Sequence, residues 1–124
     1  MQFKLGEINI VCTNLDESLK FYQDVLGFIS KRDKEGFFHL RCGDQMFLLL
    51  PEAKERSFVT PYCDKAEFSL DLIVKDLKKA YNYFKDKNVS IAQDWHENAQ
   101  MFVIQDPDGL HIEIIEILRE NETL

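Results

Sequence analysis

The chain of 124 residues is long enough for one domain, 1–124, with a buried core, and its 45% hydrophobic and 30% charged residues are typical of a globular protein. Its net charge of −7 argues against a nucleic-acid or anionic-membrane partner, because both favour a basic surface. No apolar run approaches the roughly 20 residues of a membrane span, and the first residues lack the apolar core of a signal peptide. Three cysteines without a CxxC pair indicate reduced thiols, so we expect a cytoplasmic protein.

The first half of the chain predicts one strand, one helix and three further strands. Residues 8–13 are β-branched and apolar, which indicates a strand. Residues 14–27 carry apolar side chains at helical spacing, with Asn14 or Asp16 as the N-cap and Gly27 at the end. Short strands separated by turn residues are then predicted at 28–33, 36–42 and 45–50.

The second half repeats this order. A strand is predicted at 68–74, a helix capped by Asp76 at 76–88, and three strands at 89–94, 100–106 and 110–117. The two helix starts, at Asn14 and Asp76, lie 62 positions apart. The repeat predicts an α+β fold of two tandem β-α-β-β-β units, which pack pseudo-symmetrically around a shared site. We place unit one at 4–50, a charged, proline-containing connector at 51–66 and unit two at 67–118.

The alternation of side chains along a strand predicts one polar surface. We expect the helices to cover the apolar face of each sheet, which leaves polar residues of the first and last strands on the other face. These residues are Glu7, Asn9, Ser69, Asp71, His111 and Glu113. They form either a binding surface or the solvated side of an antiparallel sheet. The pattern leaves open the orientation of His39 and His96.

Two motifs and the duplication carry a family resemblance. The stretches "NLDESLKFYQDVLGF" (14–28) and "DPDGLHIEI" (106–114), on the repeated unit, resemble the glyoxalase I / bleomycin-resistance / extradiol-dioxygenase superfamily, the vicinal oxygen chelate fold. In character the chain is most similar to the metal-free bleomycin-resistance-like members. The resemblance covers essentially the whole chain. It implies a curved, cup-like mixed sheet with helices on its outer face, and a homodimer whose units pair within one chain or across two.

The resemblance also implies where a metal would bind. Metal-dependent members take ligands from the first and closing strands of each unit, and the matching positions here are Glu7, Ser69, Glu113 and, in unit one, Phe47 or Leu48. Two carboxylates, a hydroxyl and an apolar side chain make a poor catalytic site for Zn, Ni, Mn or Fe. We therefore expect no cofactor. If a divalent ion is present, Glu7 and Glu113 would hold it, while an imidazole is offered only by His111, one strand pleat from the matching place.

Two functions are consistent with these residues. The first is a small-molecule-binding protein that sequesters a drug or metabolite, as in antibiotic resistance, in an acidic, aromatic-lined cup suited to a cationic ligand. Its candidate binding residues are Glu7, Asn9, Ser69, Asp71, Trp95, His111 and Glu113. The second is a metal-dependent glyoxalase-like lyase, isomerase or thiol transferase that uses Glu7 and Glu113 at a divalent ion. Whether the protein is an enzyme therefore stays open, and a divergent member serving as an interaction domain is a third possibility.

Overall fold

The computed structural model describes residues 1–58 and 61–116, and the chain divides into two compact units that meet in sequence at Arg56 and Ser57. Unit one contains β1 (Ile8–Val11), α1 (Leu15–Lys20), β2 (Ile29–Arg32), β3 (Phe38–Cys42) and β4 (Gln45–Leu50). Unit two contains β5 (Leu70–Val74), α2 (Leu77–Asp86), β6 (Ser90–Gln93), β7 (Met101–Gln105) and β8 (His111–Glu116). The predicted α+β class and the tandem β-α-β-β-β order are confirmed. Positions 59–60 of the predicted connector and 117–118 of the predicted unit two lie outside the described residues.

Each unit forms its own four-stranded mixed sheet, with the strand orders β1-β4-β3-β2 and β5-β8-β7-β6. The first strand of each unit pairs in parallel with the last, and the other pairs are antiparallel. In unit one Asn9 lies beside Leu48, and in unit two Asp71 lies beside Glu113. Asn9 and Asp71 hold the same place in the repeat, so the equivalent of Glu113 in unit one is Leu48.

Side-chain caps begin both helices as the sequence predicts. The Asn14 Oδ1 accepts a hydrogen bond from the Glu17 N–H at 3.0 Å, so Asn14 is the N-cap of α1. The Asp76 Oδ1 accepts one from the Lys79 N–H at 3.0 Å at the start of α2. Each cap satisfies a backbone donor that the first helical turn leaves unpaired. Within the described ranges, neither helix is long and apolar enough to cross a membrane.

The first helix does not continue as an α-helix to its predicted end. After α1 the backbone widens into a π-helical segment, Phe21–Val25, where the Leu26 N–H donates to the Phe21 carbonyl at 3.1 Å. The consecutive residues Phe21 and Tyr22 are both buried. In a regular α-helix, neighbouring side chains point about 100° apart, which makes it hard to bury two consecutive rings on one face. The wider π-helical turn accompanies the burial of both rings here. Gly27, with φ of +74°, then ends the helix as expected.

Each helix covers the apolar face of its own sheet. In unit two the ring of Phe84 on α2 lies 6.1 Å from that of Phe102 on β7, which pairs with the fully buried Ile114. In unit one the rings of Phe28 and Phe47 stack 5.4 Å apart beneath the first helix. Because side chains alternate along each strand, the polar residues of β5 and β8 lie on the face away from α2.

A tight turn before β8 fixes where that strand begins. The buried Asp106 carboxylate accepts hydrogen bonds from the backbone N–H groups of Asp108 and Leu110, each at 2.9 Å. Gly109 has φ of +92°, a conformation that glycine adopts without a side-chain clash. The backbone N–H of Ser57 donates to the Asp108 carbonyl at 2.7 Å. The turn therefore sets the register of the strand that carries the candidate binding residues.

Candidate ligand-binding site

Six side chains make up what we call the polar face of unit two. They are Tyr62, Glu67, Ser69, Asp71, His111 and Glu113. The parallel pairing of β5 and β8 brings Asp71 beside Glu113, and alternation along the two strands places the other predicted residues, Ser69 and His111, on the same face. Four residues that the sequence predicts for one surface are thus brought together.

Two carboxyl groups, those of Asp71 and Glu113, lie side by side on this face. Partial desolvation raises the pKa of Asp71, and the neighbouring Glu113 carboxyl raises it further by repulsion and by a hydrogen bond that favours the protonated form. Like charges directly opposite each other on paired strands are destabilising. A cation placed against the pair would relieve this repulsion.

Tyr62 contacts one member of the carboxyl pair, Glu113. Its hydroxyl donates a hydrogen bond to Glu113 Oε2 and lies 2.8 Å from Ser69 Oγ. Burial and the Glu113 carboxylate raise the pKa of the Tyr62 phenol to about 12, so it remains a donor at neutral pH. Tyr62 comes from the segment between the repeats, and no periodic pattern in the sequence indicates it.

His111 is the most deeply buried member of the polar face. Its side chain is 2% exposed, its Nδ1 lies 2.7 Å from Glu67 Oε1, and its ring lies 5.1 Å from that of Tyr62. In the part of the chain that the structure describes, its Nε2 is buried without a hydrogen-bond partner. Glu67 is absent from the sequence-based set because the predicted strand begins at 68. Its position two residues before Ser69 is nevertheless the alternation signal that could have found it.

In unit one, Glu7 is hydrogen-bonded to His39, whose orientation the sequence leaves open. His39 pairs with Leu48 across β3 and β4, on the same row as Asn9. Its Nδ1 lies 2.5 Å from Glu7 Oε2 and its Nε2 lies 2.8 Å from Asp33 Oδ2. Hydrogen bonds that the ring donates to the Glu7 and Asp33 carboxylates raise the pKa of His39, and the bond from His39 lowers the pKa of Asp33. The imidazole between two carboxylates is therefore favoured in its charged form.

This arrangement predicts a pH-dependent stability that depends on His39. A raised histidine pKa stabilises the folded state below the ordinary value of 6.5, and that contribution is lost as pH rises through the folded-state pKa. The lowered pKa of Asp33 contributes above its ordinary value of 3.8 and is lost as pH falls through the folded-state pKa. We expect His39→Gln to lower the melting temperature by about 2–4 °C near pH 5.5 and by less near pH 9.

Differential scanning calorimetry from pH 5 to 9 measures this effect. Lys31→Gln is a suitable control, because Lys31 pairs with His39 across β2 and β3 but belongs to neither of its carboxylate contacts. A constant difference between wild type and His39→Gln over the whole pH range would show that His39 titration does not contribute.

Trp95 lies on the other side of the unit-two sheet. Its Nε1 donates to the Ala99 carbonyl at 3.3 Å, and its ring lies 6.0 Å from that of Tyr81 on α2. Tyr81 in turn packs edge-to-face on Phe102, 5.4 Å away, on the face that the helix covers. The structure does not bring Trp95 to Glu113.

The donors at the family's metal positions do not fit a resident catalytic ion. Leu48 offers no ligand atom, the Ser69 hydroxyl and Glu113 Oε2 are hydrogen-bonded to Tyr62, and Glu7 Oε2 is hydrogen-bonded to His39. Within residues 1–58 and 61–116, no three His, Cys, Asp or Glu side chains are grouped as metal ligands. A catalytic zinc-type site needs three good protein ligands and an open position.

A small cavity in unit one is separate from these polar residues. Its volume is about 130 Å³, and its lining is mostly apolar. The lining residues are Leu15, Glu35, Gly36, Phe37, Phe38, Leu49 and Pro51. Leu49 alternates with Leu48 along β4, so the cavity lies on the opposite face from Glu7 and Asn9.

Solved structures share this fold over nearly the whole chain. An integron cassette protein from V. cholerae has a TM-score of 0.66 at 22% identity, covering 94% of this chain and 99% of that chain. A lactoylglutathione lyase from Agrobacterium tumefaciens has a TM-score of 0.65 at 19% identity, covering 91% and 92%. A fosfomycin resistance protein from Listeria monocytogenes has a TM-score of 0.69 at 10% identity, covering 94% of each chain. These likenesses concern the fold.

Sequence comparison agrees with the fold. A curated relative, "Glyoxylase I 4" from Arabidopsis thaliana, is 26% identical over 124 residues, covering 89% of this chain and 68% of the relative. Residues 4–114 match the profile of the Glyoxalase/Bleomycin resistance protein/Dioxygenase superfamily. The match spans the first strand, both helices and the Glu113 position. The chain therefore belongs to the Glyoxalase/Bleomycin resistance protein/Dioxygenase superfamily.

Proposed function

We propose that this protein is a small-molecule-binding member of its superfamily that sequesters a cationic drug or metabolite without a bound metal. The observation that carries the proposal is the carboxyl pair of Asp71 and Glu113, held side by side by the parallel pairing of β5 and β8. A bound cation would replace the repulsion between the two groups with attraction to both. The Tyr62 ring beside them offers an aromatic surface for a cation.

The donor chemistry at the family's metal positions supports the metal-free form of the proposal. The Leu48 side chain has no atom that could bind a metal. The side chains of Glu7, Ser69 and Glu113 each make a hydrogen bond within the protein. A metal would have to break these bonds and still hold few protein ligands. A cationic organic ligand needs hydrogen bonds and charge attraction from the Asp71 and Glu113 carboxyls, and no set number of ligand atoms.

A second candidate function is a metal-dependent glyoxalase-like lyase or isomerase. The carboxyl side chain of Glu113 at the closing-strand position favours it, as does the name of the curated relative, "Glyoxylase I 4". In that case Glu7 and Glu113 would be the ligands of a divalent ion. The weakness of this candidate is the same apolar Leu48.

Metal analysis of the purified protein, followed by thermal-shift measurements with Ni²⁺, Zn²⁺, Mn²⁺ and EDTA, separates the two functions. Under the metal-free proposal we expect less than stoichiometric metal and the same small melting shifts in wild type and Glu113→Ala. A stoichiometric ion, or a stabilisation of several degrees that Glu113→Ala abolishes, would establish the metal-dependent function instead. Glu116→Ala is the matched control, because Glu116 lies on the same strand and alternates to the other face.

We further propose that the protein is cytoplasmic and that it forms a homodimer. The three cysteines, an odd number without a CxxC pair, support the compartment. Sedimentation equilibrium tests the assembly directly, and a monomer at micromolar concentration would remove the dimer from the proposal.

A further inference from the structure

One ring nitrogen of His111 is hydrogen-bonded to Glu67, and the other has no partner among the described residues. Its Nδ1 lies 2.7 Å from the Glu67 carboxylate, which can only accept when ionised, so Nδ1 carries the proton. In the neutral imidazole the other nitrogen, Nε2, is then an acceptor. Carboxylate contacts of this kind set both the tautomer and the orientation of a histidine ring.

That acceptor is buried and unsatisfied. The His111 side chain is 2% exposed, and among the described residues no donor reaches Nε2. Buried polar atoms are nearly always hydrogen-bonded, because an unmade bond leaves the cost of desolvation uncompensated. An orphaned acceptor beside a charged cluster is therefore a place where a bound molecule can supply the missing donor.

The orphaned nitrogen belongs to the same cluster as the carboxyl pair. His111 is two residues before Glu113 on β8, on the same face, and its ring lies 5.1 Å from the Tyr62 ring whose hydroxyl binds Glu113. Three side chains with acceptor atoms therefore lie in this cluster: His111, Asp71 and Glu113. The Tyr62 hydroxyl donates to Glu113 and also contacts the Ser69 hydroxyl on this face.

We infer that His111 is a specificity-determining residue of the ligand site, which accepts a hydrogen bond from the ligand through Nε2. This inference rests on the proposed function and narrows its ligand to cations that carry several N–H donors, such as an alkylguanidinium. A guanidinium group presents N–H donors in a planar fork that matches carboxylates. A quaternary ammonium ion has the same charge and no donor, so it satisfies the carboxyl pair but leaves Nε2 unpaired.

Two monovalent probes with the same alkyl chain test the inference by isothermal titration calorimetry: butylguanidinium and butyltrimethylammonium. We expect wild type to bind butylguanidinium at least about tenfold more tightly, the preference that one hydrogen bond to a charged group supports. His111→Phe keeps an aromatic ring without an acceptor and should lose the preference. His111→Gln places an amide oxygen near the position of Nε2 and should keep part of it.

A spectroscopic readout covers the case in which a His111 variant fails to fold. In ¹⁵N-detected histidine ring spectra of the wild type, we expect an unprotonated His111 Nε2 whose shift moves when butylguanidinium binds and stays in place with butyltrimethylammonium. Glu67→Gln, at a partly exposed side chain, should loosen the tautomer preference and reduce the selectivity between the probes.

Equal affinity of the wild type for the two probes, or a preference unchanged in folded His111→Phe, would overturn the inference and leave cation binding in place. A protonated Nε2 in the free protein would overturn it as well, because the atom would then be a donor. Failure of both probes to bind would overturn the inference together with the proposed function.

Discussion

Replacing Gly109 with alanine is expected to lower the free energy of unfolding by more than about 3 kcal/mol, because conformational strain and steric overlap act together. Gly109 has φ of +92°, and a Cβ there would lie 2.7 Å from the carbonyl carbon of Ser57 and 2.8 Å from the nitrogen of Phe58. Both neighbours are backbone atoms, so a side-chain rotation cannot make room. The segment around Ser57 or the turn before β8 would have to move.

Gly43 provides the matched control for this substitution. It occupies the corresponding turn of unit one with φ of +58°, and a Cβ added there meets nothing within 4 Å. Gly43→Ala should therefore cost only about 1 kcal/mol, the conformational part alone. Urea denaturation of both variants measures the difference. Equal losses would mean that the contact between Ser57 and the turn is not formed in solution.

Removing the Asp106 carboxylate is the second substitution with a large expected effect. We expect Asp106→Ala to destabilise the protein by about 3 kcal/mol, because two backbone donors lose a charged acceptor inside the protein. The donors are the N–H groups of Asp108 and Leu110, each 2.9 Å from Asp106 Oδ1, and Asp106 itself is 1% exposed. Chemical denaturation gives the free energy directly.

Asp106→Asn distinguishes the hydrogen bonds from the burial of a charge. The amide keeps an oxygen at the same position, so we expect it to retain about half of the stability that alanine loses. A loss in Asp106→Asn as large as that in Asp106→Ala would indicate that the charge, rather than the two hydrogen bonds, holds the turn. Either substitution should also weaken ligand binding, because the turn sets the register of β8.

The fold could be predicted because the two halves of the chain repeat the same order of strands and helix. Both helices begin at a capping residue, Asn14 or Asp76, and the strands recur in the same order in each half. Side chains alternate along a strand, so the position of one residue fixes the face of the sheet on which the others lie. The same alternation places Asp71 and Glu113 on one surface, and the pairing of β5 with β8 makes them neighbours. The π-helical segment could not be predicted, because helical spacing does not record which neighbouring rings are both buried.

The site could be predicted only where it lies on regular strands. Tyr62 comes from the segment between the repeats, so neither period nor repeat position indicates its contact with Glu113. Asp33 lies in the turn after β2 and reaches His39 through tertiary structure alone. Trp95 lies in a polar stretch that suggests a binding rim, but its ring packs with Tyr81 on the helix side. Composition indicates an exposed aromatic residue and does not indicate the face it occupies.

The proposed function requires the Asp71 and Glu113 carboxyls to bind a cation without a metal. Isothermal titration calorimetry with butylguanidinium in the presence of EDTA tests this requirement, with wild type, Asp71→Asn/Glu113→Gln and Glu116→Gln compared at pH 7.5. We predict binding by wild type and Glu116→Gln with similar affinity, and a loss of at least about tenfold in the double variant. Binding that appears only when a divalent metal replaces EDTA, or an unchanged affinity in the double variant, would contradict the claim.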